Sequence, residues 1–185
     1  MPIKKTINQI LDEMSRTLAQ VPPEGLNRLV EAVLKAGRIY VAGGGRSGLM
    51  ARAFAMRLMH LGLATYVVGE TTTPSIRSGD LLVACSASGE TQVTVLVSQV
   101  AQTAGARVFA ITATPDSPMA RLANETIVIA APTKHTPPGV GVSVQYGGSL
   151  FEQAVLLLLD AVSSEIGRRL GTPAQELDAR HANLE

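Results

Sequence analysis

From residue 38 onward, short apolar runs alternate with helical stretches, and this alternation restricts the fold more than any other feature of the chain. Arg38–Ala42, Ala64–Val68, Asp80–Cys85, Arg107–Thr112 and Thr126–Ala130 read as strands. They are continuous and apolar, as strands covered on both faces are. Helices are expected between them near Ser47–Leu61, Glu90–Thr103 and Ser117–Ala123. Such alternation implies right-handed crossovers and an α/β fold built on a doubly wound five-stranded parallel sheet.

The flanks differ from this core. Ile3, Ile7, Ile10, Leu11, Met14 and Leu18 recur at helical steps, Pro22-Pro23 interrupts them, and Leu26, Leu29, Val30, Val33 and Leu34 resume. Residues 1–36 are therefore expected to be an N-terminal helical extension, with the α/β core over 37–131. Pro132–Gly147, rich in Pro and Gly, reads as a long loop of the kind that is often functional. Ser149–Arg169 reads as a long helix, apolar on most faces and thus buried in the core or against another subunit. It opens a C-terminal segment, 147–185, whose last dozen residues are polar. At 185 residues the chain suits one domain, 1–185.

Composition narrows the function classes. Lys and Arg number 16 and Asp and Glu 15, a balance that gives no sign of nucleic-acid or anionic-membrane binding. Only 17% of residues are charged, against an ordinary value of about 25%, so some surface is expected to be hidden against copies of the same chain. No secretory signal follows Met1, and the apolar run Ala154–Leu159 is too short for a membrane span, so a cytoplasmic location is expected. The single cysteine, Cys85, ends an apolar strand and is expected to be buried and inert.

In doubly wound sheets ligands bind outside the carboxyl ends of the strands. Two turns are expected there: Gly43-Gly44-Gly45-Arg46-Ser47-Gly48 after the first strand, and Ser86-Ala87-Ser88-Gly89-Glu90-Thr91 after the third. Each leads into a helix N-terminus, where free N–H groups and the dipole favour an anion. The hydroxyls of Ser47, Ser86, Ser88 and Thr91 add neutral donors suited to a phosphate. Taken singly, Ser47 and Ser88 equally suit helix capping. A further alternative is a dinucleotide site, since Gly43, Gly45 and Gly48 satisfy G-x-G-x-x-G and Glu70 follows a strand. The second hydroxyl-rich loop and the short sheet argue against it.

These residues resemble the sugar isomerase (SIS) domain family, whose phosphate loop has the form SASGET. The resemblance is closer still to the 6-phospho-3-hexuloisomerase branch, on the stretches GGGRSG, Phe54–Thr71 and Arg180–Glu185. It implies a flavodoxin-like SIS fold and reversible isomerisation of 3-hexulose 6-phosphate and fructose 6-phosphate in the ribulose monophosphate pathway of formaldehyde assimilation. It implies no cofactor and no metal. It also implies a homotetramer with active sites shared between subunits.

Moving a carbonyl by one carbon requires a base that removes a proton and returns it to the neighbouring carbon of a cis-enediol. Glu152, in the first turn of the long helix, is the candidate, and the resemblance places a carboxylate there. The same residue also completes an S-x-x-E capping box with Ser149, which competes with that role. The resemblance places His60 and His181 near the sugar, across a subunit boundary. His181 is expected to assist ring opening or proton movement, and His60 to position substrate. His135 is expected to be exposed only. Gly45 and Arg46 complete the expected binding set, with Arg46 on a sugar hydroxyl or the phosphate. The histidines lack metal-ligand spacing. A non-catalytic phosphosugar sensor would keep the serine loops but not need Glu152. Another SIS isomerase, for arabinose 5-phosphate or sedoheptulose 7-phosphate, is the third reading.

Overall fold

The two amphipathic stretches before residue 37 form α1 (Ile3–Ala19) and α2 (Pro23–Lys35) in the computed structural model, which describes residues 2–136 and 143–184. Pro137, Pro138, Gly139 and Gly141 of the expected loop, and Glu185 of the tail, lie outside the described residues. Pro23 opens α2, where a missing N–H costs nothing. The apolar stripe of α1 divides. Met14 and Thr17 are buried, whereas Ile3, Ile7 and Leu11 stay exposed.

The strands are β1 (Ile39–Gly43), β2 (Thr65–Val67), β3 (Leu81–Cys85), β4 (Arg107–Thr112) and β5 (Glu125–Val128). They form one all-parallel sheet in the order β2-β1-β3-β4-β5. The period-two alternation of side chains sorts them into two cores. Ile39, Val41, Val83, Cys85, Phe109 and Ile111 pack under α1, α2, α3 (Gly45–His60) and α6 (Ser149–Leu170). Tyr40, Ala42, Leu82, Ala84, Val108 and Ala110 pack with α4 (Gln92–Thr103) and α5 (Pro118–Leu122). Burying a large apolar side chain contributes about 1.5–3 kcal/mol. The α6 residues Leu150, Phe151, Ala154, Val155, Leu159 and Ile166 are all fully enclosed, so this helix belongs to the core. Gly171 ends it in the left-handed conformation (φ 64°), and α7 (Ala174–Ala179) follows.

Adjacent β1 and β3 send their following helices, α3 and α4, to opposite faces of the sheet. That divergence opens a crevice at their carboxyl ends. Among the described residues no helix is long and apolar enough to cross a membrane.

Candidate active site

Gly43 at the end of β1 pairs in register with Cys85 at the end of β3, so the two Gly/Ser loops leave the sheet side by side. They touch: a Cβ on Gly44 would lie 3.1 Å from Thr91 Cγ2. The first loop bends too tightly for side chains at its two ends. A Cβ on Gly43 would lie 2.9 Å from the Cys85 carbonyl oxygen, and one on Gly48 would collide with the Gly43 carbonyl. Because α3 begins at Gly45, the N–H groups of Gly45, Arg46 and Ser47 have no carbonyl within the helix to bond. They form the positive end of the helix beside the crevice.

The second loop is braced by its own hydroxyls. Ser86 Oγ accepts the Gly89 N–H at 3.1 Å and lies 3.1 Å from Thr91 Oγ1. Ser88 Oγ accepts the Glu90 N–H at 3.3 Å. Gly89 has φ 62°, and a Cβ there would collide with the Ser117 side chain. The Thr112 and Thr114 hydroxyls donate to the Ala87 carbonyl at 3.1 and 3.3 Å. Donors held in this way need little reorganisation to meet an anion.

The capping expectations do not hold. Ser47 is inside α3, behind Gly44 as N-cap, and α4 is preceded by Thr91 rather than Ser88. At α6 the N-cap is Gly148, and Ser149 turns away, its hydroxyl donating to the Tyr146 carbonyl at 2.8 Å. Glu152 is thus free of the capping box. Its Oε2 lies 2.5 Å from Arg46 Nε. This is an ion contact rather than an aligned hydrogen bond, and Oε2 is buried with no hydrogen-bond partner among the described residues. A Cβ on Gly148 would lie 3.6 Å from Glu152 Oε1 and 3.9 Å from Ala87 Cβ. The start of α6 therefore meets both loops. A carboxylate oxygen with its lone pairs unused, beside a cation and two phosphate-suited turns, can accept a proton from a molecule in the crevice.

Gly45, Arg46, Ser47, Ser86, Ser88, Thr91 and Glu152 are accordingly together. His60 and His181 are not with them in the same chain. His60 closes α3, roughly 22 Å from Gly45 at about 1.5 Å of rise per residue. The His60 and His181 rings stack at 4.8 Å. Arg180 Nη1 donates to the His60 carbonyl at 3.1 Å, which folds the tail onto the end of α3. A groove of about 790 Å³ opens there, lined by Arg57, His60, Asp160, Arg168, Asp178 and His181 among others.

Burial pushes the His60 imidazole below its ordinary range, and His181 and Arg57 add to the effect. The unfolded chain therefore takes up this proton more readily than the folded one, so stability falls as pH drops below the ordinary value of 6.5. The melting temperature should decline through this window in the wild type and decline less in His60→Asn. Equal declines in thermal melts at matched pH values would contradict the assignment.

Other residues have plain roles. His135 is exposed, 3.9 Å from Glu90. Cys85 is enclosed, its thiol pushed up to about 12 by burial, so it is not a nucleophile at neutral pH. Glu70 pairs with Arg52 at 2.7 Å, and β2 is only three residues long, which removes the frame of a dinucleotide site. Periodicity did not single out Glu13, which is buried on α1. The available signal was an acid three residues after Ile10 and four before Thr17, on the inward face.

The model of the SIS domain family matches residues 33–155. The chain is 45% identical over 183 residues to a 3-hexulose-6-phosphate isomerase of Mycobacterium gastri, covering 99% of this chain and 92% of that protein. It is 36% identical to the protein of that name from Bacillus subtilis, covering 100% of both. A crystal structure from Methanococcus jannaschii, described as inferring a molecular function of 3-hexulose-6-phosphate isomerase, superposes with a TM-score of 0.80 at 34% identity. It covers 99% of this chain and 98% of that one.

Proposed function

The chain belongs to the SIS domain family, and from that premise we propose that it interconverts 3-hexulose 6-phosphate and fructose 6-phosphate. The observation that carries this reading is the meeting of two hydroxyl-rich loops and the Glu152 carboxylate at one crevice. The phosphate is held by the N–H groups of Gly45 and Ser47 and the hydroxyls of Ser47, Ser86, Ser88 and Thr91. This sets the open-chain ketose against Glu152. The carboxylate takes the proton from C2 of the 3-ketose. The C–H electron pair becomes the C2=C3 bond of a cis-enediol, and the C3 carbonyl oxygen takes up the charge. The O2 proton passes to the charged O3 as the C2 carbonyl forms, and Glu152 delivers its proton to C3, so that O3 ends as the hydroxyl and O2 as the carbonyl. Arg46, beside Glu152, stabilises the charge on the enediol oxygens. Protons move and no net electrons do, so the reading includes no metal or redox cofactor.

The reading takes residues 1–185 as one SIS unit working as a homotetramer. Two helical stripes support assembly, since Ile3, Ile7 and Leu11 on α1 and Val93, Leu96 and Val100 on α4 are all exposed. The His60–His181 pair, outside its own crevice, serves the site of a neighbouring copy. There His181 aids ring opening and proton exchange, and His60 positions substrate. Sugar phosphates are made and consumed inside cells, which supports a cytoplasmic place in formaldehyde assimilation by the ribulose monophosphate pathway.

The test is to supply purified protein with 3-hexulose 6-phosphate and follow fructose 6-phosphate, with arabinose 5-phosphate and sedoheptulose 7-phosphate alongside. Turnover of the hexulose phosphate is expected. Tight phosphosugar binding without turnover of any substrate would replace the enzyme with a sensor.

A further inference from the structure

We propose that Glu13, on the N-terminal helix α1, is a positioning residue that holds Glu152 in place. The inference rests on the reading of Glu152 as the base. Burying a carboxylate is costly unless its oxygens are bonded. Glu13 is only 4% exposed. Among the described residues its donors all come from one short segment, the chain just before α6. Ser143 Oγ donates to Oε2 at 2.7 Å, the Val144 N–H to Oε1 at 2.8 Å, and Gln145 Nε2 to Oε2 at 3.4 Å. The bond from Val144 fixes the backbone itself, not merely a side chain.

That segment needs fixing from outside. It runs through Gly147, at φ 58°, and Gly148 before reaching Glu152, and glycines impose little direction of their own. Glu13 supplies the direction, and a second link carries it into the helix. Gln145 Oε1 accepts from Gln153 Nε2 at 2.8 Å, and Gln153 is the residue next to Glu152. A continuous set of hydrogen bonds thus runs from α1 through Gln145 to the first turn of α6. The extension carrying Glu13 lies outside residues 33–155, the part matched by the family model, yet its hydrogen bonds lead to Gln153, the neighbour of the candidate base in the chain. A base displaced by about 1 Å can lose on the order of 10²-fold in rate, while a phosphate held elsewhere keeps its affinity.

Two variants test this, with the wild type assayed alongside. Glu13→Gln places an amide N–H₂ against a set of donors and should unfasten residues 143–145. Gln145→Leu leaves the bonds of Glu13 to Ser143 and Val144 but cuts the link to Gln153. For hexulose phosphate isomerisation, Glu13→Gln should lower kcat by about 10–100-fold and Gln145→Leu by about 10-fold, each with KM within about two-fold. The double variant should be no slower than Glu13→Gln alone, because both act through one connection. A general loss of structure would not split kcat from KM in this way. If Glu13→Gln fails to fold, Gln145→Leu alone decides. Folded variants with wild-type kcat, losses mirrored in KM, or additive effects would overturn the inference. Wild-type protein without turnover would instead overturn the reading of Glu152 on which it rests.

Discussion

Glu152→Gln is expected to isomerise 3-hexulose 6-phosphate about 10³-fold more slowly than the wild type, at nearly unchanged KM. At 1.36 kcal/mol per decade this is about 4 kcal/mol of lost transition-state stabilisation. The effect should be large because the amide keeps the size of the side chain but accepts no proton. It should fall on kcat because the phosphate donors proposed above lie on two other segments, residues 45–47 and 86–91. Among the described residues Oε2 has no hydrogen bond to lose, and its ion contact is with an Arg46 side chain that is mostly exposed, where such a pair contributes about 0–1 kcal/mol, so folding should change little. Fructose 6-phosphate in deuterated water provides a second readout. The wild type should place solvent deuterium at C3 in those cycles in which the proton on Glu152 exchanges with solvent before it is returned, and the variant should not. A Glu152→Gln protein that retains kcat within about five-fold would remove this carboxylate from the chemistry.

The second large effect concerns binding. Ser86→Ala combined with Ser88→Ala should raise KM by about 10²–10⁴-fold, taking roughly 1.5–3 kcal/mol for each hydrogen bond to a charged group. The loss has two parts. Each hydroxyl is removed from the phosphate, and each also braces the loop, Ser86 at the Gly89 N–H and Ser88 at the Glu90 N–H. Inorganic phosphate separates binding from chemistry. It should raise the melting temperature of the wild type through ligand linkage and leave the double variant unmoved. Equal protection of both proteins would place the phosphate elsewhere.

The architecture was legible because the strands carry their own signal. Arg107–Thr112 reads as a strand and is one, residue for residue, and the other four differ at their ends by no more than two residues. The meeting of the loops was legible for the same reason, since a doubly wound sheet fixes where the carboxyl ends of its strands lie. Local geometry was less so. Ser149 and Glu152 have the spacing of a capping box, but Gly148 takes the N-cap, and that one-residue shift frees Glu152 to reach Arg46. Sequence spacing does not encode which residue of Gly148-Ser149 adopts the non-helical backbone. The stacking of His60 on His181 depends on how the tail folds back, and Glu13 on a segment 130 residues away, so neither follows from a local pattern. Ile3, Ile7 and Leu11 fit the helical period and still lie uncovered, since periodicity reports a helix face and not what covers it.

A crystal structure of the wild-type protein with fructose 6-phosphate tests the shared crevice most directly. The phosphorus should sit between residues 45–47 and 86–91, with C2 or C3 about 3–3.5 Å from a Glu152 oxygen. A sugar phosphate seated away from those turns, or one whose C2 and C3 face away from Glu152, would contradict the account.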